Sequence, residues 1–391
     1  NTEDKMAAYT EIDDPSLHFQ IMLYVGSAGV FDPADGSTVS FSFTNAGDGV
    51  AMQPDWMWFK GRNYENDWTS YDSTLGFGSN GDEENGALYP STTGAEGVSN
   101  NHASYGYVNT FYSAGFTGES GSIGAASRAV WGYASECMAL GWKANGGTTS
   151  SNSDGSITST VQANTDAGFS IVKWTGTGSA ATIGHGLGVK PDVIFVKNTS
   201  TSVDWAVFHP GLTDNGYVIA LNTADAEVDS GTNRWNETDP TTSVFSVGTG
   251  QQTNQNTNQM IAYCFASKQG FSKFGTYYGN GQHVGTFVYT GFKPRAVMIK
   301  QRDDNEPWIL YDTKRNTFNP ADKKISPDIH QMENSVSGLG DAGYNFIDIH
   351  SNGFKCRHNS NAANGSGDEI LYFAWAEEPL VSSGGVPATA R

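Results

Sequence analysis

The residues most able to do chemistry are thinly spread. Eight histidines are scattered along the 391-residue chain, and no two have the H-x-x-x-H spacing that sets two imidazoles on one helix face to hold zinc. Cys137, Cys264 and Cys356 stand far apart without a C-x-x-C and read as buried thiols, not as disulfide partners or zinc ligands. Gly118-Glu119-Ser120-Gly121-Ser122 narrowly misses a nucleophile elbow, and no strand-to-helix context supports it, so it reads as a turn. Gly279-Asn280-Gly281-Gln282-His283-Val284-Gly285 has the wrong spacing for a dinucleotide fingerprint and lies between strands, where no helix dipole would meet a phosphate; it reads as a hairpin loop. The acidic runs Asp82-Glu83-Glu84 and Asp303-Asp304-Asn305-Glu306 could bind Ca²⁺ but lack the alternating ligands of an EF-hand loop, and read as solvated turns. Carboxylates are numerous enough to supply the acid pair of a glycosidase, yet no such pair recurs along the chain. No catalytic residue, metal ligand or cofactor is therefore assigned.

The chain repeats itself. Gln53-Pro54-Asp55-Trp56-Met57-Trp58-Phe59-Lys60, Lys190-Pro191-Asp192-Val193-Ile194-Phe195-Val196-Lys197 and Lys293-Pro294-Arg295-Ala296-Val297-Met298-Ile299-Lys300 share Pro at the second place and Lys at the eighth. Eight residues beyond each Lys comes a Trp (Trp68, Trp205, Trp308), and three beyond that an aromatic (Tyr71, Phe208, Tyr311). The next residue is Asp72, His209 or Asp312, a substitution that argues against a shared catalytic role. An aromatic-x-Gly turn opens each unit, at Tyr24, Trp174 and Tyr277, and an apolar run closes it, at Cys137–Trp142, Met260–Phe265 and Ile370–Trp375.

Short β-branched and aromatic runs alternate with Gly, Asn, Asp and Ser clusters, and no apolar helical period persists beyond about two turns. This predicts an all-β chain of three tandem related antiparallel β-sandwich units. The first is residues 1–146, with an N-terminal arm and insertions. Residues 147–164 read as a Gly/Ser/Thr-rich linker. The second unit is 165–270, and the third, with a loose C-terminal tail, is 271–391. The runs Val193–Val196 and Ala296–Ile299 are continuously apolar and predict strands buried on both faces. The repeated tryptophans invite a glycan-stacking reading, but their identical register favours core anchors.

With 22 basic against 41 acidic residues, the net charge of −19 disfavours a nucleic-acid binder or a polybasic membrane-surface protein. No apolar run approaches the ~20 residues of a membrane span. Residues 1–5 lack the features of a signal peptide, and Met6-Ala7-Ala8 reads like a second start, so we expect trimming or a short upstream leader. Manufacture in a reducing host cytoplasm fits three buried thiols outside any disulfide framework.

Several stretches carry a family likeness: Gly168-Phe169-Ser170-Ile171-Val172-Lys173-Trp174-Thr175-Gly176-Thr177-Gly178, followed by Gly184-His185-Gly186-Leu187-Gly188 and Lys190-Pro191. Thr10–Ser16, Lys268–Lys273 and Phe373–Glu377 belong to the same set. Together they resemble a repeat in virion proteins of tailed phages, common in phages of marine bacteria and cyanobacteria, whose members are usually described as structural or tail-fibre-like. The resemblance implies a virion location and a non-enzymatic structural role, as a tail-associated fibre, spike or adhesin for host attachment. A capsid-surface decoration protein and a polysaccharide depolymerase are the alternatives. Expected partners are other virion proteins, further copies of the chain with a trimer as first choice, and a host-surface glycan. Binding is expected where the units differ: Gly76–Asn109, the Asn233–Asn236 loop and Pro320–Met332. Trp235, Asn236 and His330 are the candidate contact residues.

Overall fold

The computed structural model describes residues 10–25, 38–77, 86–97, 107–119, 136–334 and 346–389. The chain is nearly all β, and its named sheet pairings are antiparallel. Three core sheets share one strand order: opening strand, closing strand, Lys-Pro strand, Trp strand. In the first these are Phe19–Val25, Glu136–Trp142, Trp56–Gly61 and Thr69–Asp72. In the second they are Phe169–Thr175, Gln259–Phe265, Val193–Asn198 and Ala206–Phe208. In the third they are Ser272–Tyr278, Glu369–Pro379, Phe292–Gln301 and Ile309–Asp312. Register matches too, since Trp56, Val193 and Ala296 face Trp142, Phe265 and Trp375.

Each core sheet has two buried faces, which is why the four residues before the closing Lys of each Lys-Pro run are all apolar. Met57, Phe59 and Ala139 pack with Tyr107, Phe111 and Phe116 of the first small sheet; Ile194, Val196 and Ala262 pack with Ile183 and Phe245 of the second. The alternate residues point the other way, as a period of two requires. Trp56, Trp58 and Trp142 of the first sheet, Phe195, Tyr263 and Phe265 of the second, and Met298, Phe373 and Trp375 of the third form one common core. Trp56 stacks on Tyr263 at 3.9 Å, Phe195 meets Phe373 at 5.9 Å, and Trp142 meets Trp375 at 5.5 Å. The three faces leave a void of about 10 Å³ between them. The sandwiches thus close on one another around a shared aromatic centre and do not stand as separate beads.

Hydrogen bonds run round the closure in one direction. Trp68 donates its indole N–H to the Ser326 carbonyl of the third sandwich (2.8 Å), Trp205 to Tyr89 of the first (3.0 Å), and Trp308 to Ala220 of the second (3.0 Å). All three indoles are fully buried. Each acceptor follows a residue bridged to the Trp strand of its own sandwich: Leu88 to Ser70, Ile219 to Val207, and Ile325 to Leu310.

Two expectations from composition are corrected here. Residues 147–164 are not a free linker: Ser150–Asn152 and Ser159–Asn164 pair as a hairpin, and the latter strand adds to the edge of the second core sheet. Thr160 and Val161 supply the β-branched residues that the surrounding Gly and Ser conceal. Pro320–Met332 is not a free binding loop either, because Ala321, Ile325, Ser326 and Asp328 are buried and the segment clasps the first sandwich. Asp82–Glu84 lie outside the described residues.

Cys137, Cys264 and Cys356 are buried and form no disulfide, and burial pushes the Cys264 thiol up and the Cys356 thiol to about 11. A thiol reagent added at pH 8 is expected to leave all three unmodified in the folded chain and to label three after denaturation. Rapid labelling of the native protein would show that one of the sandwiches opens.

Candidate functional site

The repeated polar residues serve the architecture. Lys60 donates its ammonium to Asn66 Oδ1 (2.9 Å) and to the His330 carbonyl of the third sandwich (3.1 Å). Lys197 reaches the Thr93 carbonyl of the first sandwich (2.8 Å) and the Val203 carbonyl. Lys300 donates to the Gln301 (2.6 Å) and Asp304 (3.3 Å) carbonyls. Burial lowers Lys60 and Lys197 to about 7 and Lys300 to about 8, against the pull of nearby carboxylates.

The Asp/His/Asp position is equally structural. Asp72 accepts from Thr74 N–H and from the Tyr263 hydroxyl (2.7 Å) of the second sandwich. Asp312 accepts from Lys314 N–H and Arg315 N–H. His209 Nδ1 accepts from Gly211 N–H (3.0 Å), and its Nε2 faces the Tyr372 carbonyl (3.4 Å) of the third sandwich. Each side chain takes a backbone N–H two residues on, so imidazole replaces carboxylate without loss of the turn. Burial holds the His209 imidazole down at about 3, hence neutral.

The open site lies at the far edge of the second core sheet. Tyr217–Ala220 and Val228–Asp229 extend that sheet beyond its Trp strand. A 3₁₀ turn at Gly231–Asn233 then carries the chain back over them. Between these elements is a cleft of about 380 Å³, whose polar walls are Asp204, Asp225, Asp229, Asn233, Arg234 and Gln252. That volume is within the ~300–1,000 Å³ usual for small-molecule sites. Asp204 accepts from Asn222, and Asp229 from Gly231 N–H, so both carboxylates are held in place. The Arg234 guanidinium is half-buried and makes no ion pair among the described residues; burial lowers its pKa, with Asp204 opposing. Two hydroxyls line the wall: Ser230 donates to the Gly216 carbonyl (2.7 Å), and Thr223 accepts from Asp225 N–H (3.3 Å). The cleft offers fixed acceptors beside planar donors, an arrangement suited to holding hydroxyl groups.

The structure does not gather the three candidate contact residues. Trp235 is 1% exposed and packs on Phe208 at 5.7 Å in the second sandwich, so its ring is core and unavailable to a ligand. Asn236 follows it in the left-handed region at φ 52°, half-buried, and does not line the cleft. His330 is exposed, while its carbonyl binds Lys60 and the Asn66 N–H (2.8 Å) at the junction with the first sandwich. Of the Asn233–Asn236 loop, Asn233 and Arg234 line the cleft, whereas Trp235 and Asn236 do not. Asp204 and Gln252 had no signal in sequence because the fold brings them from distant segments.

A second pair was also missed. Asn254 and Asn364 each stand six residues before the closing-strand residues Met260 and Ile370, buried at the end of a one-turn helix. Asn254 accepts from Thr177 N–H and donates to the Gly248 carbonyl, and Asn364 accepts from Asn280 N–H and donates to the Gln282 carbonyl. These bonds fasten the Gly-rich turn after each opening strand. Among the described residues, no group of three or more His, Cys, Asp or Glu is placed to hold a metal ion, and no helix is long and apolar enough to cross a membrane.

A family model described as a domain of unknown function, DUF7483, matches residues 14–379. The chain belongs to the DUF7483 family. Its match spans all three sandwiches, so the family unit is the closed set and not one sandwich. No curated protein and no solved structure matches the chain.

Proposed function

We propose that this DUF7483 chain is a non-enzymatic virion protein of a tailed phage, a tail-associated fibre, spike or adhesin subunit that holds a host-surface glycan in the Arg234 cleft. The observation that carries this reading is the division of labour among polar groups. The repeated Lys, Asp and His side chains are consumed by turns and sandwich junctions, and the open cleft presents hydrogen-bonding groups without a nucleophile set against a base. A polar cleft on a rigid body suits attachment, where a scaffold positions loop residues for a ligand. The resemblance of the Gly168–Gly178 and Lys-Pro stretches to phage virion repeats supplies the setting.

The test is titration of the purified chain with surface polysaccharides of candidate host bacteria, read by calorimetry and by the size of the recovered glycan. Saturable binding with unshortened glycan supports the proposal. Arg234→Gln is expected to weaken binding about 10- to 100-fold, the range for losing a hydrogen bond to a charged group. Glycan shortening would make the chain a depolymerase, and antibody labelling of the particle on its capsid would make it a decoration protein. Self-association belongs to the same proposal: light scattering is expected to give a multiple of 41.8 kDa, and a single-chain mass would remove it.

Salt gives a second reading. A −19 protein is repelled by an anionic cell surface, and added salt screens this beyond about 8 Å at physiological strength. Adsorption to cells is expected to rise as NaCl increases from low to seawater-like levels. A monotonic fall would reveal a basic contact patch and overturn the glycan assignment.

A further inference from the structure

Each sandwich carries a small sheet against its core sheet, and the registers of the three small sheets make their outward positions comparable. In the first, Thr38–Ser42 pairs with Gly115–Glu119; in the second, Ala181–Gly184 pairs with Val244–Val247. In the third, Phe287–Tyr289 pairs with Gly353–Cys356, and Ile347–His350 extends the sheet. Phe116, Phe245 and Phe354 are buried anchors, facing Phe41, Ile183 and Val288 across the strands. The residues next to these anchors turn outward, as a period of two requires. There the first sandwich has Ser40, Ser42 and Thr117, and the second has Thr182, Gly184 and Ser246. The third has Phe287, Tyr289 and Lys355.

The fold does not require these aromatics, since hydroxyl side chains or Gly fill the same places in two related sheets. The second sandwich also covers its position with its own chain: Ser156 N–H donates to Thr182 Oγ1 (2.9 Å), and Thr182 N–H donates to Ser156 Oγ (2.9 Å). In the third, Phe287 is 44% and Tyr289 52% exposed. The other exposed aromatics among the described residues, Tyr278 and Phe318, border the same sheet. Thr286, beside Phe287, donates its hydroxyl to the Tyr278 carbonyl (2.7 Å). At the opposite edge Asn319, next to Phe318, donates to the Ile349 carbonyl (2.9 Å) and accepts from the Ile349 N–H (2.8 Å). Exposed aromatics gathered on one face mark an interaction surface, and Tyr and Phe are enriched where proteins meet.

We propose that this aromatic face of the third sandwich docks a second copy of the chain, head to tail, against an acidic surface of that copy. The inference rests on the self-association proposed above and says where the copies meet. Charge chooses the occupant. Lys355 stands opposite Phe287, and Lys273 donates to the Tyr289 carbonyl (2.9 Å) and lies 5.3 Å over the Tyr289 ring. Neither lysine has an ion-pair partner among the described residues. The carboxylates in contact with the face are already paired: Asp348 with Arg357 (3.0 Å), and Glu369, which accepts from the Tyr278 hydroxyl, with Arg302 (2.9 Å). The face is thus locally positive on a chain of net charge −19, whose remaining surface is the more acidic for it. Complementary potentials favour that pairing. A twofold contact of the face with itself would set the lysines against one another. A head-to-tail contact joins unlike surfaces and closes into a ring when its rotation allows, with three copies at 120°.

The experiment is sedimentation velocity on the intact chain over a concentration series. Phe287→Ser with Tyr289→Ser installs the residues of the first sandwich at these places. It is expected to raise the concentration for half-assembly about 10- to 100-fold, the range for losing aromatic anchors of an interface, while the urea midpoint of the unassembled chain holds. Lys273→Glu with Lys355→Glu is expected to weaken assembly in the same sense, and Lys273→Arg with Lys355→Arg to preserve it. A single-chain mass for the wild type at every concentration would overturn this inference together with the self-association beneath it. Assembly unchanged by the serine pair would overturn this inference alone. Slowed hydrogen exchange at Phe287–Tyr289 on adding host polysaccharide, with assembly unchanged, would give the face to the glycan instead. A glutamate variant that joins the wild-type chain more tightly than the wild type joins itself would show lysine facing lysine across a twofold contact and overturn the head-to-tail geometry.

Discussion

Trp205→Ala is expected to destabilise the folded chain by about 3–5 kcal/mol, the range for a large aromatic removed from a packed core. It is also expected to loosen two sandwiches. The Trp205 indole is fully buried and lies 6.3 Å from Tyr263 in its own sandwich, while its N–H goes to the Tyr89 carbonyl of the first. Alanine leaves a cavity at the common core and takes the indole donor away from the Tyr89 carbonyl, which keeps the Thr92 N–H (3.2 Å). Trp205→Phe separates the two effects, since it keeps most of the ring and loses only the N–H. Denaturant midpoints give the total, and hydrogen exchange around Ala87–Tyr89 gives the cross-sandwich part. Faster exchange at Tyr89 in both variants is the expected result. Loss confined to the second sandwich would mean that closure does not depend on these indoles.

The elements that were legible in sequence are those whose register is fixed by a period-two strand. The Lys-Pro runs, the Trp eight residues on, and the closing strands fall at equivalent places because one added residue would turn every apolar side chain to the wrong face. Continuous apolarity at Val193–Val196 also announced two buried faces. It did not say what covers the second face, because contact between Phe195 and Phe373 joins residues from different units and leaves no local pattern. The segments chosen for binding by their difference, such as Gly76–Asn109, proved to hold clasps at Tyr89 and Thr93, since a backbone carbonyl acceptor puts no demand on side-chain identity. Trp235 misled for the same reason that Trp205 did not: a loop composition surrounds it, and only the fold shows the ring turned against Phe208. The cleft was the least legible feature, because Asp204, Asp229, Arg234 and Gln252 meet only through the added edge strands.

The stability of the whole chain is expected to rise between about pH 7 and pH 9, through the three repeated lysines. In the unfolded chain a lysine keeps its proton to about pH 10.4. In the fold, burial brings Lys60 and Lys197 down to about 7 and Lys300 to about 8. Between those limits the unfolded chain binds more protons than the folded one, so the free energy of unfolding increases with pH. The slope approaches about 1.4 kcal/mol per pH unit for each lysine that is neutral only when folded. Below pH 7 all three are charged in both states, and the cost of burying them is fully present. Other groups bound the window. The Tyr24, Tyr263, Tyr277 and Tyr311 hydroxyls and the Cys264 thiol are pushed up by burial, so above about pH 9 the unfolded chain ionises first and stability turns down. On the acid side, Asp72 and Asp328, raised by burial to about 6 and about 7, weaken the fold as pH rises towards neutrality, while His209, lowered to about 3, strengthens it over much of the same range. The alkaline limb is therefore the clear one. Urea unfolding at half-unit steps from pH 7 to 9 reads it directly. Lys60→Met with Lys197→Met is expected to flatten the slope by about two thirds, whatever the variants do to absolute stability by removing the ammonium donors to the Thr93 and His330 carbonyls. A wild-type profile that is level or falling from pH 7 to 8.5 would show that these ammonium groups are hydrated in solution and that the junctions they occupy stand open to water.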